Sequence, residues 1–578
     1  MLDKFGIAAA LQEIATLQEL KGGENRFKAR AYRAGARAIS GYSGDIGEVI
    51  EQEQLTSIRG IGNALASQIK QLHQTGSSSV LEALRKEFPP GVIELSAVPG
   101  LTLSKIRKLH DALGISSVAE LQSAAEAGLV KAVPGFGVKT EQALLESIQN
   151  HKKRARSTRR LHLHHADRVA ESIIEYLRTA SVVDDVSIAG SLRRREETVG
   201  IVRITAASTD PEALLEHFLK FPLIVRTELK EETQCAVGLL DGSRVNLTVV
   251  RDDQFPTALL VTTGAEAHIE KLKFVASHKG FNIDAEQFEL TTKKGATLRL
   301  KSEPDIYRKL GMQFVPPELR EDKGEVEAAL IGELHEDLIT VDNIQGMVHC
   351  HTTYSDGVNS ILEMAQAADR MGMKYLTITD HSPTASYAGG VTLDRLRRQW
   401  DEIDEVQQAV KVKLLKGTES DILADGSLDY PDDILEKFDV IVASIHARYK
   451  MDSQKMTKRL LNAMRQPVFK IWGHALGRLI ERRPPFECDV ERVLDAVAES
   501  RAAVEINGDP YRLDLEPKWI REARKREIKF VVSVDAHSTG ALNNVRFGVD
   551  MARRGWVRRS EVLNALGLKD FQKAVKPA

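Results

Sequence analysis

The sequence predicts a multidomain protein with a helical N-terminal region, an α+β middle and a C-terminal α/β barrel. The chain has 578 residues, which is too long for one ordinary domain. Apolar residues recur at helical spacing from Ala8 to Ile39, and short helical stretches separated by glycine-containing turns follow. From about residue 340, apolar runs typical of buried strands alternate with helical segments, which favours a parallel sheet closed into a barrel.

The composition is typical of a soluble globular protein in a reducing compartment. Hydrophobic residues make up 42% of the chain, and no apolar run approaches the ~20 residues that a membrane helix needs. The start, MLDKFGIAAALQEIATLQEL, lacks the basic stretch and unbroken apolar core of an export signal. Three scattered cysteines exclude a disulfide framework. We therefore expect a cytoplasmic protein. Because 80 Lys plus Arg nearly balance 82 Asp plus Glu, any attraction to nucleic acid must come from local basic patches.

Three similar turns interrupt the helical region at intervals of roughly forty residues. Their sequences are IRGIG at 58–62, VPGLT at 98–102 and VPGFG at 133–137. A Gly-hydrophobic-Gly turn between two helices lets backbone amides approach a phosphate, and the second helix presents its positive N-terminal end to the same oxygen. The predicted DNA-contacting glycines are Gly60, Gly62, Gly100, Gly135 and Gly137. The alternative is that glycine only tightens a helical turn, and Thr102 in the middle copy favours packing alone.

Two basic stretches are further candidates for phosphate contact. Lys28, Arg30, Arg33 and Arg37 partly share one helical face. A second group follows the helical region and comprises Lys152, Lys153, Arg154, Arg156, Arg159 and Arg160. A solvated helix face and a solvated linker are the alternative explanations.

The middle of the chain carries a glycine-centred motif between two β-branched runs, in VVDDVSIAGSLRRREETVGIVRITAAS. The motif resembles the palm of family X DNA polymerases, where Gly-Ser, two Arg, Glu-Thr and Gly precede an Asp-x-Asp strand. The matching residues are Gly190, Ser191, Arg193, Arg194, Glu197, Thr198 and Gly200. The resemblance continues through Thr263-Gly264 and the stretch VPPELREDKGEVEAA. It implies an α+β nucleotidyltransferase-like palm followed by a thumb.

Three carboxylates that this family uses in polymerisation are replaced here. Ile201 and Arg203 stand at the two positions of the Asp-x-Asp pair, and Asn246 in RVNL stands at the third. Two-metal phosphoryl transfer needs acidic oxygens to hold the ions against substrate phosphates. We therefore expect no catalytic metal pair and no DNA polymerase activity. The remaining candidates for nucleotide-phosphate contact are Gly190, Ser191 and Arg194. Retention of the fold explains these three residues equally well.

Polar residues follow several predicted strands of the C-terminal region. The C-terminal strand ends of a parallel barrel form one rim, so side chains located there converge. In HCHTTYSDG, His349 and His351 point to the same side of a strand, which favours a pair of imidazole ligands. Further His, Asp or Glu residues end the stretches KYLTITDH, VKLLKGTES, FDVIVASIH, VFKIWGH and KFVVSVDAH. The sequence therefore predicts a ligand cluster at this rim.

The order of these residues is similar to that of the polymerase and histidinol phosphatase (PHP) domain, which bacterial family X polymerases carry at their C terminus. The resemblance implies nine metal ligands, namely His349, His351, Asp356, His381, Glu419, His446, His474, Asp535 and His537. Mixed His and carboxylate ligands suit Mn²⁺, Zn²⁺ or Fe²⁺ better than Mg²⁺, and nine suffice for up to three ions.

Three other positions of this domain bear on its chemistry. Arg478 and Arg512 are candidate phosphate-binding residues, with ion pairs at the barrel rim as the alternative. The PHP family usually has Asp-Leu before the first His, whereas this chain has Met347-Val348. If that Asp orients a ligand, its absence lowers metal affinity.

These features predict five segments. Residues 1–75 form an N-terminal helix-hairpin-helix domain, 76–150 a fingers-like hairpin region, 151–250 the palm-like domain, 251–335 a thumb-like region and 340–578 a PHP phosphoesterase domain.

The resemblance implies a metal-dependent phosphodiesterase in DNA repair. The implied activity is a 3′→5′ exonuclease on gapped, nicked or 3′-ended DNA, with abasic-site or 3′-end processing as related activities. Two other functions stay open: a small-molecule phosphatase like histidinol phosphatase, and a non-enzymatic scaffold that binds DNA ends. The helical hairpins favour DNA as the partner, and the complete ligand set favours an enzyme.

Overall fold

The structure is a computed structural model of the chain. It describes residues 2, 4–21, 25–41, 46–51, 53–58, 60–88, 95, 101, 103–138, 140–145 and 160–577. Among these residues, no helix combines the length and the apolar character that a membrane crossing requires. The predictions for Gly100 and for the basic residues from Lys152 to Arg159 fall outside the described residues.

The N-terminal region is helical, which confirms the prediction from apolar spacing. Its helices share one buried apolar core that includes Ile14, Leu72 and Leu121. Gly60 and Gly135 have φ angles of +96° and +93° in the two described glycine turns, a backbone conformation that favours glycine. The helices are Lys4–Lys21, Asn25–Gly41, Ile46–Glu51, Asn63–Thr75, Ser79–Glu87, Leu103–Leu113 and Val118–Glu126, with 3-10 turns at Leu55–Ser57 and Val130–Ala132.

The palm-like region is built on a five-stranded sheet, in which the strands lie side by side in the order β2 (Val183–Ala189), β4 (Val202–Ser208), β7 (Arg244–Val250), β6 (Gln234–Leu239) and β5 (Ile224–Lys230). Only β4 and β7 run parallel to each other. Two helices, Leu163–Leu177 and Pro211–Leu219, contact the sheet and each other, and Phe255–Thr263 packs against Ala207 and Val250. The region also contains β1 Leu161–His162 and β3 Thr198–Val199. The pair β1-β3 is separate from this sheet.

The thumb-like region is a small helical unit with one hairpin. Its core includes Leu272, Ile306 and Leu310. The buried His268 ring lies 2.6 Å from a carboxylate oxygen of Glu325, so this polar pair is satisfied inside the core. The elements are the helices Glu266–Lys279, Glu303–Lys309 and Glu325–Ile331 and the strands β8 Phe281–Asp284 and β9 Glu289–Thr292.

The C-terminal region is a nearly closed barrel of seven parallel strands, which confirms the prediction of an α/β barrel. The strands lie side by side in chain order, and a parallel bridge between Cys350 and Ala536 joins the ends of the first and last strands. They are β10 Gly346–Met347, β11 Tyr375–Ile378, β12 Lys413–Asp421, β13 Val440–Ser444, β14 Ile471–Trp472, β15 Ala503–Asn507 and β16 Phe530–Ser533. The helices are Ile361–Arg370, Leu393–Val406, Asp432–Leu435, Ser453–Met464, Val490–Glu499, Pro517–Lys525, Val545–Arg554 and Leu568–Val575.

The barrel packs directly against the palm. One buried apolar cluster contains both palm residues such as Val199 and barrel residues such as Leu513. Arg195 of the palm also donates to Asp550 of the barrel at 2.8 Å, and it binds Asp167 within the palm. The rim of the barrel is therefore held in a fixed position relative to the palm.

Candidate metal centre

All nine residues that the PHP resemblance implies lie at one end of the barrel. Seven of them follow the C-terminal ends of β10, β11, β13, β14 and β16, Glu419 lies near the end of β12, and Asp356 lies in the loop after β10. This is the expected place because parallel strands bring their C-terminal ends to one rim. The structure thus brings together residues that are spread over 189 positions of the chain, from 349 to 537.

Glu419 lies at the centre of this cluster. Its carboxylate oxygens lie within 3.5 Å of a ring nitrogen of each of five histidines. The distances are 3.4 Å to His349, 3.5 Å to His351, 2.9 Å to His381, 3.2 Å to His446 and 2.9 Å to His474. A buried carboxylate is stable only when charges or hydrogen-bond donors surround it.

Two aspartates complete the cluster. Asp535 lies 3.1 Å from Nε2 of His351, and Asp356 lies 3.2 Å from Nε2 of His537. The side chains of Asp356 and His537 are 36% and 38% exposed, whereas those of Glu419 and His351 are fully buried. The cluster is therefore open to solvent on the side of Asp356 and His537.

The donor atoms form three overlapping groups that suit metal ions. The groups are His351, Asp356, His381 and His537; His349, His351, Glu419 and Asp535; and His381, Glu419 and His446, each with its ligand atoms within 4.8 Å of one another. Every such group in the described part of the chain lies in this rim. Nitrogen and carboxylate donors at this spacing fit divalent transition metals.

Several buried nitrogen and oxygen atoms of the cluster lie close to one another but form no hydrogen bond of good geometry among the described residues. These atoms are Nε2 of His349 and His351, Nδ1 of His381 and His474, and Oε2 of Glu419. An unsatisfied buried donor or acceptor destabilises a fold unless another group compensates it. The residues therefore fit a bound cation at this place.

The cluster is strongly coupled electrostatically. Burial opposes ionisation of Glu419, but its histidine neighbours outweigh that effect and hold its pKa well below the ordinary value. Burial lowers the pKa of His381 and of His446, but Glu419 outweighs it and raises the two pKa values to about 10 and about 9. Because metal ligation requires neutral imidazole, binding of a divalent cation at this cluster releases protons.

Three carboxylates that the sequence analysis did not single out position the rim. Glu505 on β15 lies 2.6 Å from Nδ1 of His349, and Asp421 lies 2.6 Å from Nδ1 of His446. Asp380 accepts hydrogen bonds from the backbone N–H and the hydroxyl of Thr352 in the loop after β10. A carboxylate behind a ligating histidine fixes its ring orientation and tautomer. An acidic residue inside an apolar strand, as in AAVEIN, was the available sequence signal.

Glu505 also explains how His349 is held without the usual Asp before it. Met347 is fully buried and occupies the strand position two residues before His349. The Nδ1 atom of His349 instead faces Glu505, which in turn accepts hydrogen bonds from Ser533 and Asn507. His349 therefore has an orienting carboxylate on a different strand, and the effect of Met347 on metal affinity stays a prediction.

The two arginine candidates for phosphate binding lie in different surroundings. Nε of Arg512 lies 3.2 Å from Oδ2 of Asp535, and its buried Nη1 has no hydrogen-bond partner among the described residues. Arg478 instead forms two hydrogen bonds to Glu197 of the palm and one to the carbonyl of Leu513. This placement keeps Arg512 as a candidate phosphate ligand and favours the ion-pair alternative for Arg478.

The three replaced palm positions lie together in the sheet. Arg203 on β4 pairs in register with Asn246 on β7, and Ile201 immediately precedes β4. Burial, followed by repulsion from the cation of Arg194, lowers the pKa of Arg203. The palm therefore has one cation, Arg203, and two uncharged residues at the three positions where two-metal chemistry requires carboxylates.

The candidate nucleotide contacts of the palm are largely engaged in structural bonds. Arg194 donates to the carbonyl of Thr263 at 2.7 Å and also binds Glu196. Gly190 has a φ of +62°, and a Cβ added to it would lie 3.0 Å from Cδ of Arg203. Ser191 accepts a hydrogen bond from the backbone N–H of Glu196 at its carbonyl. These contacts give Gly190, Ser191 and Arg194 a role in the fold.

The two described glycine turns leave their second glycines open. A Cβ added to Gly62 or to Gly137 would meet no atom within 4 Å, and Gly62 immediately precedes the helix Asn63–Thr75. Lys108 donates to the carbonyl of Pro134 at 3.4 Å, so a cation lies beside the second turn. Gly62 and Gly137 are exposed, so each turn leaves space beside its glycine for an approaching phosphate.

Basic residues of the helix Asn25–Gly41 have mixed roles. Arg33 forms an ion pair with Glu19, whereas Lys28, Arg30 and Arg37 are exposed. Arg160, the described member of the second basic group, binds Thr198 and Glu196 of the palm. Arg33 and Arg160 therefore contribute to packing within the protein.

Four protein-family models match the chain. Residues 3–78 match a helix-hairpin-helix domain, and residues 92–150 match a SAM-like helix-hairpin-helix tandem. Residues 258–321 match the DNA polymerase beta thumb, and residues 348–509 match the PHP domain. The PHP match ends before Asp535 and His537, which the structure places in the same cluster.

Curated relatives fall into two groups. The chain is 36% identical over 578 residues to "DNA polymerase/3′-5′ exonuclease PolX" from Bacillus subtilis (strain 168), a match that covers all of both chains. It is 31% identical over 201 residues to a probable phosphatase from Caldanaerobacter subterraneus subsp. tengcongensis, covering 33% of this chain and 74% of that protein. It is 28% identical over 228 residues to a probable phosphatase from Thermoanaerobacter sp. (strain X514), covering 37% of this chain and 88% of that protein.

We predict that Glu505→Gln weakens metal binding by about tenfold or more, because groups behind ligating histidines typically contribute this much to affinity. The measurement is metal content per chain after dialysis against graded concentrations of Mn²⁺ or Zn²⁺. Glu402→Gln is the matched control, since Glu402 binds the hydroxyl of Tyr354 and contacts none of the nine residues. Equal metal affinity in the Glu505 variant and the wild type contradicts this prediction.

Proposed function

The chain belongs to the PolX family of bacterial family X DNA polymerases with a C-terminal PHP domain, and from this premise we propose that it is a metal-dependent DNA 3′→5′ exonuclease without polymerase activity. At the coarser level, the family and the ligand groups support a metal-dependent phosphoesterase with DNA as a partner. The single observation that carries the proposal is the rim cluster of His349 to His537 centred on Glu419.

The residues of the rim have different proposed roles in hydrolysis. Divalent ions of the Mn²⁺, Zn²⁺ or Fe²⁺ class lower the pKa of water and neutralise charge on a phosphoryl group when bound. Glu419 belongs to two of the three ligand groups, and it contacts histidines that follow four different strands. Asp356 and His537 form the exposed side through which the phosphodiester enters.

Arg512 is the proposed phosphate-binding residue. It is anchored to Asp535 through Nε, which leaves Nη1 buried and without a partner at the cluster. A guanidinium next to a metal centre can donate two parallel N–H hydrogen bonds to two phosphate oxygens. It thereby stabilises the charge that develops as the phosphodiester bond breaks.

The N-terminal turns supply the proposed contact with DNA. Gly62 and Gly137 hold open backbone amides at the starts of helical segments, and Lys108 adds a cation at the second turn. Such contacts recognise phosphates and not bases, so binding is independent of sequence. We propose gapped, nicked or 3′-ended DNA as the substrate and DNA repair, including abasic-site or 3′-end processing, as the setting.

A small-molecule phosphatase is the second candidate function. It is favoured by the probable phosphatases that match about a third of this chain. A parallel assay with a labelled oligonucleotide and with histidinol phosphate separates the two functions. Release of nucleotides from the oligonucleotide supports the exonuclease, whereas hydrolysis of histidinol phosphate alone supports the phosphatase. A third candidate, a non-enzymatic scaffold, requires a purified protein that carries little metal.

We predict that His349→Ala combined with His351→Ala abolishes nuclease activity while DNA binding persists. The two changes remove both imidazoles from one ligand group and the His351 ligand from a second group, whereas the glycine turns lie in a separate core. The measurement is Mn²⁺-dependent release of nucleotides from a 3′-labelled or 5′-labelled primer, together with a DNA-binding assay. Undiminished hydrolysis in the double variant excludes the cluster from the mechanism.

We predict that Gly62→Ala combined with Gly137→Ala weakens DNA binding by about tenfold, because each methyl group obstructs a phosphate and about one hydrogen bond is lost at each turn. Neither methyl group meets an atom within 4 Å, so the fold is retained. Gly567→Ala is the control, since Gly567 also precedes a helix and is equally open. Wild-type affinity should fall steeply with salt, and a double variant with wild-type affinity contradicts this proposal.

We predict that the unmodified chain does not extend a primer with Mg²⁺ or Mn²⁺, because the cation of Arg203 repels the metals that polymerisation needs. Extension above a no-enzyme control contradicts the prediction. The companion variant is Ile201→Asp, Arg203→Asp and Asn246→Asp in the nuclease-deficient background. Recovered extension shows that carboxylate loss alone silenced the palm. Failure assigns part of the loss to other positions, such as Ala265, where the family usually has Ser after Thr-Gly.

A further inference from the structure

The segment Asn507–Asp514 after β15 connects the candidate metal centre to the palm. On the side of the metal centre, Nε of Arg512 lies 3.2 Å from Oδ2 of Asp535. The backbone N–H of Arg512 donates to the carbonyl of Asp509 at 2.8 Å, so the segment folds back on itself. The position of the Arg512 guanidinium therefore depends on how this segment is held.

Glu197 of the palm holds the segment through Arg478. Its two carboxylate oxygens accept hydrogen bonds from Nη1 and Nη2 of Arg478 at 3.1 and 2.9 Å. The same Nη2 also donates to the carbonyl of Leu513, the residue next to Arg512. The backbone N–H groups of Leu476 and Arg478 donate to the carboxylate of Asp514 at 3.0 and 3.3 Å. The bidentate pair thus fixes the C-terminal half of the segment from outside the barrel.

A second palm contact holds the same segment. The ring of Tyr511 lies 5.2 Å from the ring of His162 and 5.0 Å from the ring of His164, both in edge-to-face geometry. The backbone N–H of Leu163, between these two histidines, donates to the carbonyl of Glu197 at 3.1 Å. Tyr511 and Glu197 are therefore joined to one element of the palm.

We propose that Glu197, a residue of the retained palm motif, is a positioning residue for phosphodiester hydrolysis in the barrel, because it fixes Arg512 through Arg478 and the segment Asn507–Asp514. The inference rests on the proposed hydrolase function of the metal centre. A displacement of about 1 Å in a group that contacts the reacting phosphate can reduce the rate by about a hundredfold. Arg478 is buried, so removal of the Glu197 charge leaves its guanidinium without its bidentate partner.

The test is a kinetic cycle with Glu197→Gln, Arg512→Ala and the double variant in the full-length, metal-loaded protein. The substrates are a labelled oligonucleotide and bis(4-nitrophenyl) phosphate, a general phosphodiester. We expect Glu197→Gln to lower kcat about tenfold with little change in KM, and Arg512→Ala to lower it further. The double variant should be no slower than Arg512→Ala alone, because both changes act through the same guanidinium.

Two controls distinguish positioning from stability. Asp550→Asn breaks a different palm-barrel ion pair, that of Arg195, and should leave kcat near the wild-type value. Arg478→Lys should reproduce the Glu197→Gln loss, since lysine cannot form the bidentate pair. Metal content and melting temperature are measured for each variant. If Glu197→Gln fails to fold, the Arg478→Lys variant decides the question alone.

Three results would overturn the inference. The first is a wild-type kcat in Glu197→Gln. The second is an additive loss of kcat in the double variant, and the third is a loss of bound metal that parallels the loss of rate. Each of these results assigns Glu197 a role other than positioning Arg512. A wild-type protein inactive toward both substrates removes the proposed function itself, and the inference with it. An active wild type with an unaffected Glu197 variant removes the inference alone.

Discussion

The candidate site depends on one buried carboxylate, that of Glu419, which five histidine rings from four other strand ends surround. A carboxylate inside a barrel is destabilising unless positive charge or hydrogen-bond donors approach it from all sides. Parallel topology meets this requirement because it delivers every strand's C-terminal end to the same rim. The bridge between Cys350 and Ala536 joins the ends of the first and last strands of the barrel and places His349 and His351 next to Asp535.

The palm contributes charged residues that pair with groups of the thumb and of the barrel. Its motif from Gly190 to Gly200 supplies the partners of several charged groups elsewhere: Arg193 binds Glu303 of the thumb, Arg195 binds Asp550 and Glu197 binds Arg478 of the barrel. Removing one partner of a buried ion pair is destabilising because the other charge stays buried and unpaired. These contacts give the motif a structural role that does not require polymerase carboxylates at positions 201, 203 and 246.

The N-terminal helices are stabilised mainly by apolar packing. They have their own apolar core, and the open glycines Gly62 and Gly137 place backbone amides at the surface. Phosphate contacts of this kind give affinity without base recognition, which suits the proposed action on DNA ends of any sequence. The proposed division of labour is therefore binding by the helical turns and hydrolysis at the barrel rim.

The sequence by itself determined the local features. Helical spacing, alternating strands and the motif at His349 and His351 predicted the helical region, the barrel and a ligand cluster at its rim, because these signals depend on short stretches of chain. The full set of nine ligands came from the resemblance to the PHP domain. Only the tertiary structure decided that Glu505 orients His349, that Arg478 binds Glu197 across 281 positions, and that Arg512 reaches Asp535. Such pairs depend on how strands cross over and how domains dock, and a short-range pattern carries no information about either.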